Sequence, residues 1–229
     1  MKNWSARCIV LQVTAIIFAF AIIDELETKP LRVSAVLLHE LGHAGMAKAC
    51  GCEVESVGIT PEEESGYMKH SGNPSVAVAV VGYLAPAVVG ALLLVGSRQR
   101  SLGRSVCALI GVFLVAATFL PLDASAVIYV RCIIAAVIAT FLLAMLAWWM
   151  VAVILRLVGT YWCLYAFFDM LNDCILGGSE DVGDPVDIAN ALGVDIRIVS
   201  VFIFLAVLTI VVVAMVQSVR GDPQRSPFF

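Results

Sequence analysis

Long apolar runs recur along this chain, separated by short polar breaks. A helix needs about 20 such residues to cross a bilayer's hydrocarbon core. Runs of that grade cover residues 8–23, 31–49, 75–96, 105–128, 132–155, 157–176 and 198–217, and they predict about seven transmembrane helices. The first run follows Lys2 and Arg7 and contains Ala19-Phe20-Ala21, which loosely fits a signal cleavage site. The polar segment that should precede such a site is missing, so a retained helix is expected. A polar break with Glu25, Glu27 and Lys29 leads to the second run, which stops at Gly51.

Residues 52–73 follow a different rule. From Cys52 to Ile59 polar and apolar residues alternate with a period near two, which predicts a strand. The stretch Pro61-Glu62-Glu63-Glu64-Ser65-Gly66 reads as a solvated turn, and Tyr67-Met68-Lys69-His70 as the returning strand. A second polar segment, with Glu180, Asp181, Asp184 and Asp187, precedes the last apolar run. There Asp184-Pro185 predicts a helix start and Gly193 its end. The expected fold is an all-α polytopic membrane protein, one domain over residues 1–229, with a short interfacial β-hairpin after the second helix. No internal repeat is evident.

Composition supports the membrane reading: 61% of residues are hydrophobic, 14% are charged, and mean hydropathy is +0.98. A formal charge of −4 argues against nucleic acid as a partner. The seven cysteines lie mostly in apolar runs, where a thiol packs as a small hydrophobe, so no disulfide framework is expected. Cys50-Gly51-Cys52 is the one close pair, and it has no matching partners for a metal. Orientation is not decided by charge, since the predicted spans place eight Lys/Arg on one side and six on the other.

The second run is interrupted by His39-Glu40-Leu41-Gly42-His43. On a helix the two imidazoles share one face and can grip a single metal ion. The neighbouring carboxylate can then serve as general base toward a water on that metal. This is the H-E-x-x-H arrangement of zinc hydrolases. Burying a carboxylate and two imidazoles inside a membrane-grade helix is costly without such a purpose. Catalytic zinc takes three protein ligands, so a third must come from elsewhere. The only Glu after residue 64 is Glu180, in a loop, which turns attention to aspartates within apolar runs. Asp169 and Asp173 lie four apart in the sixth run and share a helix face. Asp169 is the deeper and is the expected ligand, with Asp173 as the alternative. The aspartate that does not bind zinc is then placed to hold a ligand imidazole from behind. Asp123 beside Pro121 reads as a loop residue, Asp184 as a helix cap, His70 as a hairpin surface residue, and Arg131 and Arg156 as snorkelling helix-end residues.

With these features in place, the chain resembles the site-2 protease family of intramembrane zinc metalloproteases, in particular a compact branch without large extra domains. The resemblance rests on Leu38-His39-Glu40-Leu41-Gly42-His43-Ala44, on Gly51 with strand 53–59, on Gly82-Tyr83-Leu84 through Gly90-Ala91-Leu92-Leu93, and on Asp169. It covers roughly residues 31–195. It implies zinc held by two His and a distant Asp within the bilayer, with the Glu activating water. Two departures stand out. Better-known members place the ligand Asp before Gly and after Asn-Pro, whereas Met170 follows Asp169 and the only Asn-Pro is Asn73-Pro74. A Ser-Asp-Ala pattern associated with the compact branch has its counterpart in Gly183-Asp184-Pro185.

The expected function is hydrolysis of peptide bonds in transmembrane or membrane-associated protein substrates by a multi-pass integral membrane zinc metalloendopeptidase. Glu40 is the expected general base, and His39, His43 and Asp169 the expected zinc ligands. Two rivals use the same residues differently. A non-catalytic metal-binding scaffold or sensor needs no general base. A metal or proton transporter commonly shows internal repeats and several polar helices.

Overall fold

A computed structural model of the chain describes residues 6–22, 29–60, 65–72, 76–174 and 184–220. In chain order the elements are α1 (Ala6–Ile22), α2 (Lys29–Ala49), β1 (Glu53–Thr60), β2 (Ser65–Ser71), α3 (Val76–Gly96), α4 (Arg100–Ala117), α5 (Ala124–Leu146), α6 (Trp148–Cys174), α7 (Asp184–Leu192) and α8 (Ile196–Val219). Five of these helices, α3, α4, α5, α6 and α8, are long and apolar enough to cross a membrane. The apolar part of α1, Cys8–Ala21, is shorter. At 21 residues α2 has the length to span, but it carries Arg32, His39, Glu40, His43 and Lys48. The protein is therefore a multi-pass membrane protein, mostly helical, with one antiparallel hairpin after its second helix.

Two helix boundaries differ from the hydropathy reading. The run expected over 105–128 breaks at residues 118–123, because Pro121 cannot continue a helix and Asp123 caps the next one. The Asp123 carboxylate accepts from the Ala126 N–H at 2.7 Å. Arg131 consequently lies inside α5, where it is exposed. The next break falls at Ala147, which leaves Arg156 well inside α6 and only 4% exposed. Arg156 does not snorkel. It donates to the backbone carbonyls of Cys8 (3.0 Å) and Ser218 (3.1 Å) and lies 3.4 Å from the Ser97 hydroxyl. Buried hydrogen bonds to three other segments hold the guanidinium better than a helix end would.

Helix α3 packs against α2, α6 and α8 and forms the centre of the bundle. Gly90 of α3 and Gly159 of α6 meet backbone to backbone: a Cβ at either would come within 2.8 or 2.7 Å of the other's carbonyl oxygen. Small residues at a crossing allow this approach where lipid supplies no hydrophobic drive for helix association.

The hairpin pairs Val57 with Met68, Gly58 with Tyr67 and Ile59 with Gly66. Residues 61–64, the expected acidic turn, lie outside the described residues, and Ser65 and Gly66 belong to β2 rather than to that turn. The other edge of β1 is covered by the α4–α5 connection. Val57 N–H donates to the Pro121 carbonyl (3.0 Å), and Asp123 N–H donates to the Val57 carbonyl (2.9 Å). Tyr67 adds a hydroxyl bond to Asp123 at 3.0 Å. Burial pushes the Asp123 carboxyl upward, but bonds from the Ala126 N–H, the Ser125 and Tyr67 hydroxyls and the Ile59 backbone outweigh it, so its pKa lies below the ordinary carboxylate value. A depressed folded-state pKa stabilises docking above the unfolded value, about 4, and that contribution is lost as pH falls through the folded value. The hydrogen-exchange protection factors of Val57 and Ile59 are expected to fall on acidification below about pH 4 and in Asp123→Ala, which loses about 1 kcal/mol of capping. Unchanged exchange in Asp123→Ala would show that the hairpin is held by other contacts.

Candidate metal centre

The site is built from α2 outward. His39 and His43 are one turn apart on α2, and their rings meet edge to face at 4.6 Å between centroids. Gly42, between them, lies against α3: a Cβ there would be 2.7 Å from the Ala85 Cβ and 2.9 Å from the Val81 carbonyl oxygen. That close approach carries His43 to the first turn of α3, where its Nδ1 lies 2.8 Å from the Val78 carbonyl oxygen. A carbonyl only accepts, so Nδ1 must carry the proton, leaving Nε2 with a free lone pair for a metal.

The expected ligands divide here. Asp184, the first residue of α7, brings Oδ2 to 3.0 Å from His43 Nε2 and 3.2 Å from His39 Nε2. His39, His43 and Asp184 form the single group of three potential metal-binding side chains among the described residues, with ligand atoms within 4.8 Å of one another. Asp169 of α6 stands on the other side of His39, with Oδ2 at 3.5 Å from Nδ1. That nitrogen is buried without a hydrogen-bond partner. Asp169, the expected third ligand, thus stands outside that group of three: the first His lies between it and the other donors. The side chain of Asp173, the alternative, lies outside the described residues. His70 pairs with Val54 in the hairpin and is not part of the group. The Cys50–Cys52 pair is likewise not part of it.

Asp184 was legible as a helix start, and α7 does begin at Asp184, with Pro185 next and Gly193 beyond its end at φ +64°. Only the Gly183-Asp184-Pro185 pattern pointed toward a second role, and spacing alone could not place it against residues 145 positions earlier.

The donor set fits a tetrahedral metal. Ligand atoms about 2.1 Å from such an ion lie roughly 3.4 Å apart, close to the separations between Asp184 and the two imidazoles. Gly82 of α3 keeps room for it: a Cβ there would come within 2.2 Å of His43 Nε2 and 2.8 Å of His39 Nε2. One turn on, Pro86 has no N–H to offer the Gly82 carbonyl, so α3 is locally loosened beside the site. Tyr83 packs its ring edge to face on His39 at 4.9 Å.

Glu40 is buried, at 8% exposure, within electrostatic reach of His39, His43, Asp184 and Asp169. The hairpin backbone covers it. A Cβ on Gly66 would sit 2.4 Å from Glu40 Cγ and 2.6 Å from its Oε1. The arrangement thus joins two nitrogen donors, one carboxylate donor and an adjacent second carboxylate beneath a strand.

Residues 9–215 match the family model described as Peptidase M50B-like. No curated protein and no solved structure matches the chain. Gly82→Ala is expected to leave the bundle folded but abolish stoichiometric binding of a divalent metal, measured by elemental analysis of purified protein. Full metal content in that variant would place the binding position away from the two Nε2 atoms.

Proposed function

Because the chain belongs to the Peptidase M50B-like family, a site-2 protease-type group of intramembrane metalloproteases, we propose that it hydrolyses peptide bonds of membrane proteins. In this reading zinc is held by His39, His43 and Asp184, and Glu40 is the general base. One observation carries it: a single Asp184 oxygen meets both Nε2 atoms, at 3.0 and 3.2 Å, beside a buried carboxylate. His39, His43 and Asp184 would hold zinc there, and the metal would supply Lewis acidity that lowers the pKa of water toward about 7 and polarises a carbonyl.

The chain's own groups do the rest. The Glu40 carboxylate accepts a proton from the attacking water and returns it to the leaving amine. Val78 fixes the His43 tautomer through Nδ1, and Asp169, whose Oδ2 faces His39 Nδ1 at 3.5 Å, is the carboxylate placed to orient that ring once the gap closes. A transmembrane substrate hides its peptide groups in helical hydrogen bonds and must be extended before attack. The hairpin supplies a template for that. One edge of β1 is occupied by β2 and the other by residues 121–123, which leaves the outer edge of β2 as the open one among the described residues. A segment added to that edge passes Gly66, and Gly66 lies directly over Glu40.

Three substitutions separate these roles. Glu40→Gln is expected to keep zinc and lose cleavage by about 10²–10⁴-fold. Asp184→Asn is expected to lose zinc, whereas Asp169→Asn keeps it with affinity weakened by about 10–100-fold. Zinc stoichiometry and cleavage of a transmembrane substrate in proteoliposomes measure both. Undiminished cleavage in Glu40→Gln would remove the base from the mechanism. Zinc retained in Asp184→Asn but lost in Asp169→Asn would return the ligand role to Asp169.

A further inference from the structure

The end of the bundle remote from the hairpin carries a chemistry that peptide hydrolysis does not use. Helix α3 starts beside the metal centre and runs 21 residues, roughly 30 Å, to Gly96. There it meets the start of α4, the junction of α5 with α6, and the end of α8. Arg100 reaches the Met145 carbonyl (2.9 Å), Arg104 reaches the Ala144 carbonyl (3.2 Å), and Arg156 joins Ser97 to Ser218. Segments 96–104, 144–156 and 218–220 together hold Arg98, Arg100, Arg104, Arg156 and Arg220, and no Asp or Glu.

Part of this has a purely structural explanation. The carbonyls of Ala144 and Met145 belong to the last turn of α5, and arginines that cap them satisfy groups every helix end leaves open. That accounts for one donor on each of two guanidiniums. Arg104 Nε, Arg220 Nε and the Trp148 indole Nε1 are buried without a hydrogen-bond partner. Trp148 lies against the start of α4, since a Cβ on Gly103 would come within 2.2 Å of its ring. The N-cap of α4, Gln99, makes no side-chain cap bond, and the first turn of α4 contains no acidic residue. Its open N–H groups add further positive potential. Arg156 is fully enclosed and adds charge without being accessible. Among the described residues at this end, every buried side-chain atom without a partner is a donor, and the five charges share one sign. The complement is an acceptor-rich anion available at a membrane surface.

We propose that Arg98, Arg100 and Arg104, with Trp148 at the membrane interface, bind the phosphate headgroup of an anionic phospholipid at the start of α4. Phosphate oxygens accept from guanidinium forks and from helix N-terminal amides together. The α4–α5 pair, whose α5 is the least buried of the spanning helices, would be anchored by this contact. The inference does not depend on the hydrolytic reading, because it shares no residue with the metal centre.

The test uses the whole protein in nanodiscs of phosphatidylcholine, with or without phosphatidylglycerol, read by native mass spectrometry of retained lipid and by thermal unfolding. Wild type is expected to retain phosphatidylglycerol selectively and to unfold at higher temperature in its presence. With about 1 kcal/mol per arginine near the membrane surface, R100Q/R104Q should bind roughly 30-fold more weakly. R197Q, at the opposite end, should bind as wild type does. Should R100Q/R104Q fold poorly, R100K/R104K keeps the charge and is expected to keep the selectivity. Equal retention of both lipids by wild type would overturn the proposal, as would stabilisation reproduced by inorganic phosphate alone or equal weakening in R197Q.

Discussion

The contact on which the rest depends is the close crossing of α2 on α3. Gly42 lets α2 reach the Val81 carbonyl and Ala85, and Gly82 leaves the hollow that such proximity makes useful. A methyl group at either position would separate the helices or fill the space between the imidazoles. His43 then has the Val78 carbonyl as its partner, and both Nε2 atoms point to one place. The metal motif is therefore a property of two helices rather than one.

Around that crossing, polar groups are assembled where burial would otherwise penalise them. Glu40, His39, His43, Asp169 and Asp184 come from three helices that converge on one hollow, so each offsets part of another's desolvation. The hairpin closes the cluster. It is tied to the α4–α5 connection through Val57, Tyr67 and Asp123, and it lies on Glu40 through Gly66. Its position links the α4–α5 connection to the buried Glu40 carboxylate.

The opposite end of the bundle is organised by a different constraint. Arg156 occupies the interior because its donors find carbonyl and hydroxyl acceptors on α1, α8 and the end of α3. Arg100 and Arg104 cap the end of α5, while Arg104 Nε and Arg220 Nε are buried without a partner. Among the described residues, buried carboxylates gather around His39 and His43, and arginines gather where α3 ends.

Much of the architecture is legible in the chain itself. The apolar runs, the period-two stretch after Gly51, and the His39-Glu40-x-x-His43 spacing depend on local periodicity, and their spans, hairpin and helix face follow from it. The breaks at Pro121 and Ala147 were harder, because within near-continuous hydrophobic sequence local geometry sets where a helix stops. The third member of the site was beyond reach by the same logic. Asp169 and Asp184 are both suitable carboxylates far along the chain, and only the packing of α6 and α7 against α2 and α3 puts one behind His39 and the other between the two imidazoles. Local periodicity thus determined the membrane helices, the hairpin, the histidine pair and the Glu40 carboxylate beside it. The partner of that pair was decided by tertiary structure, because coordination depends on distance in space and not on distance along the chain.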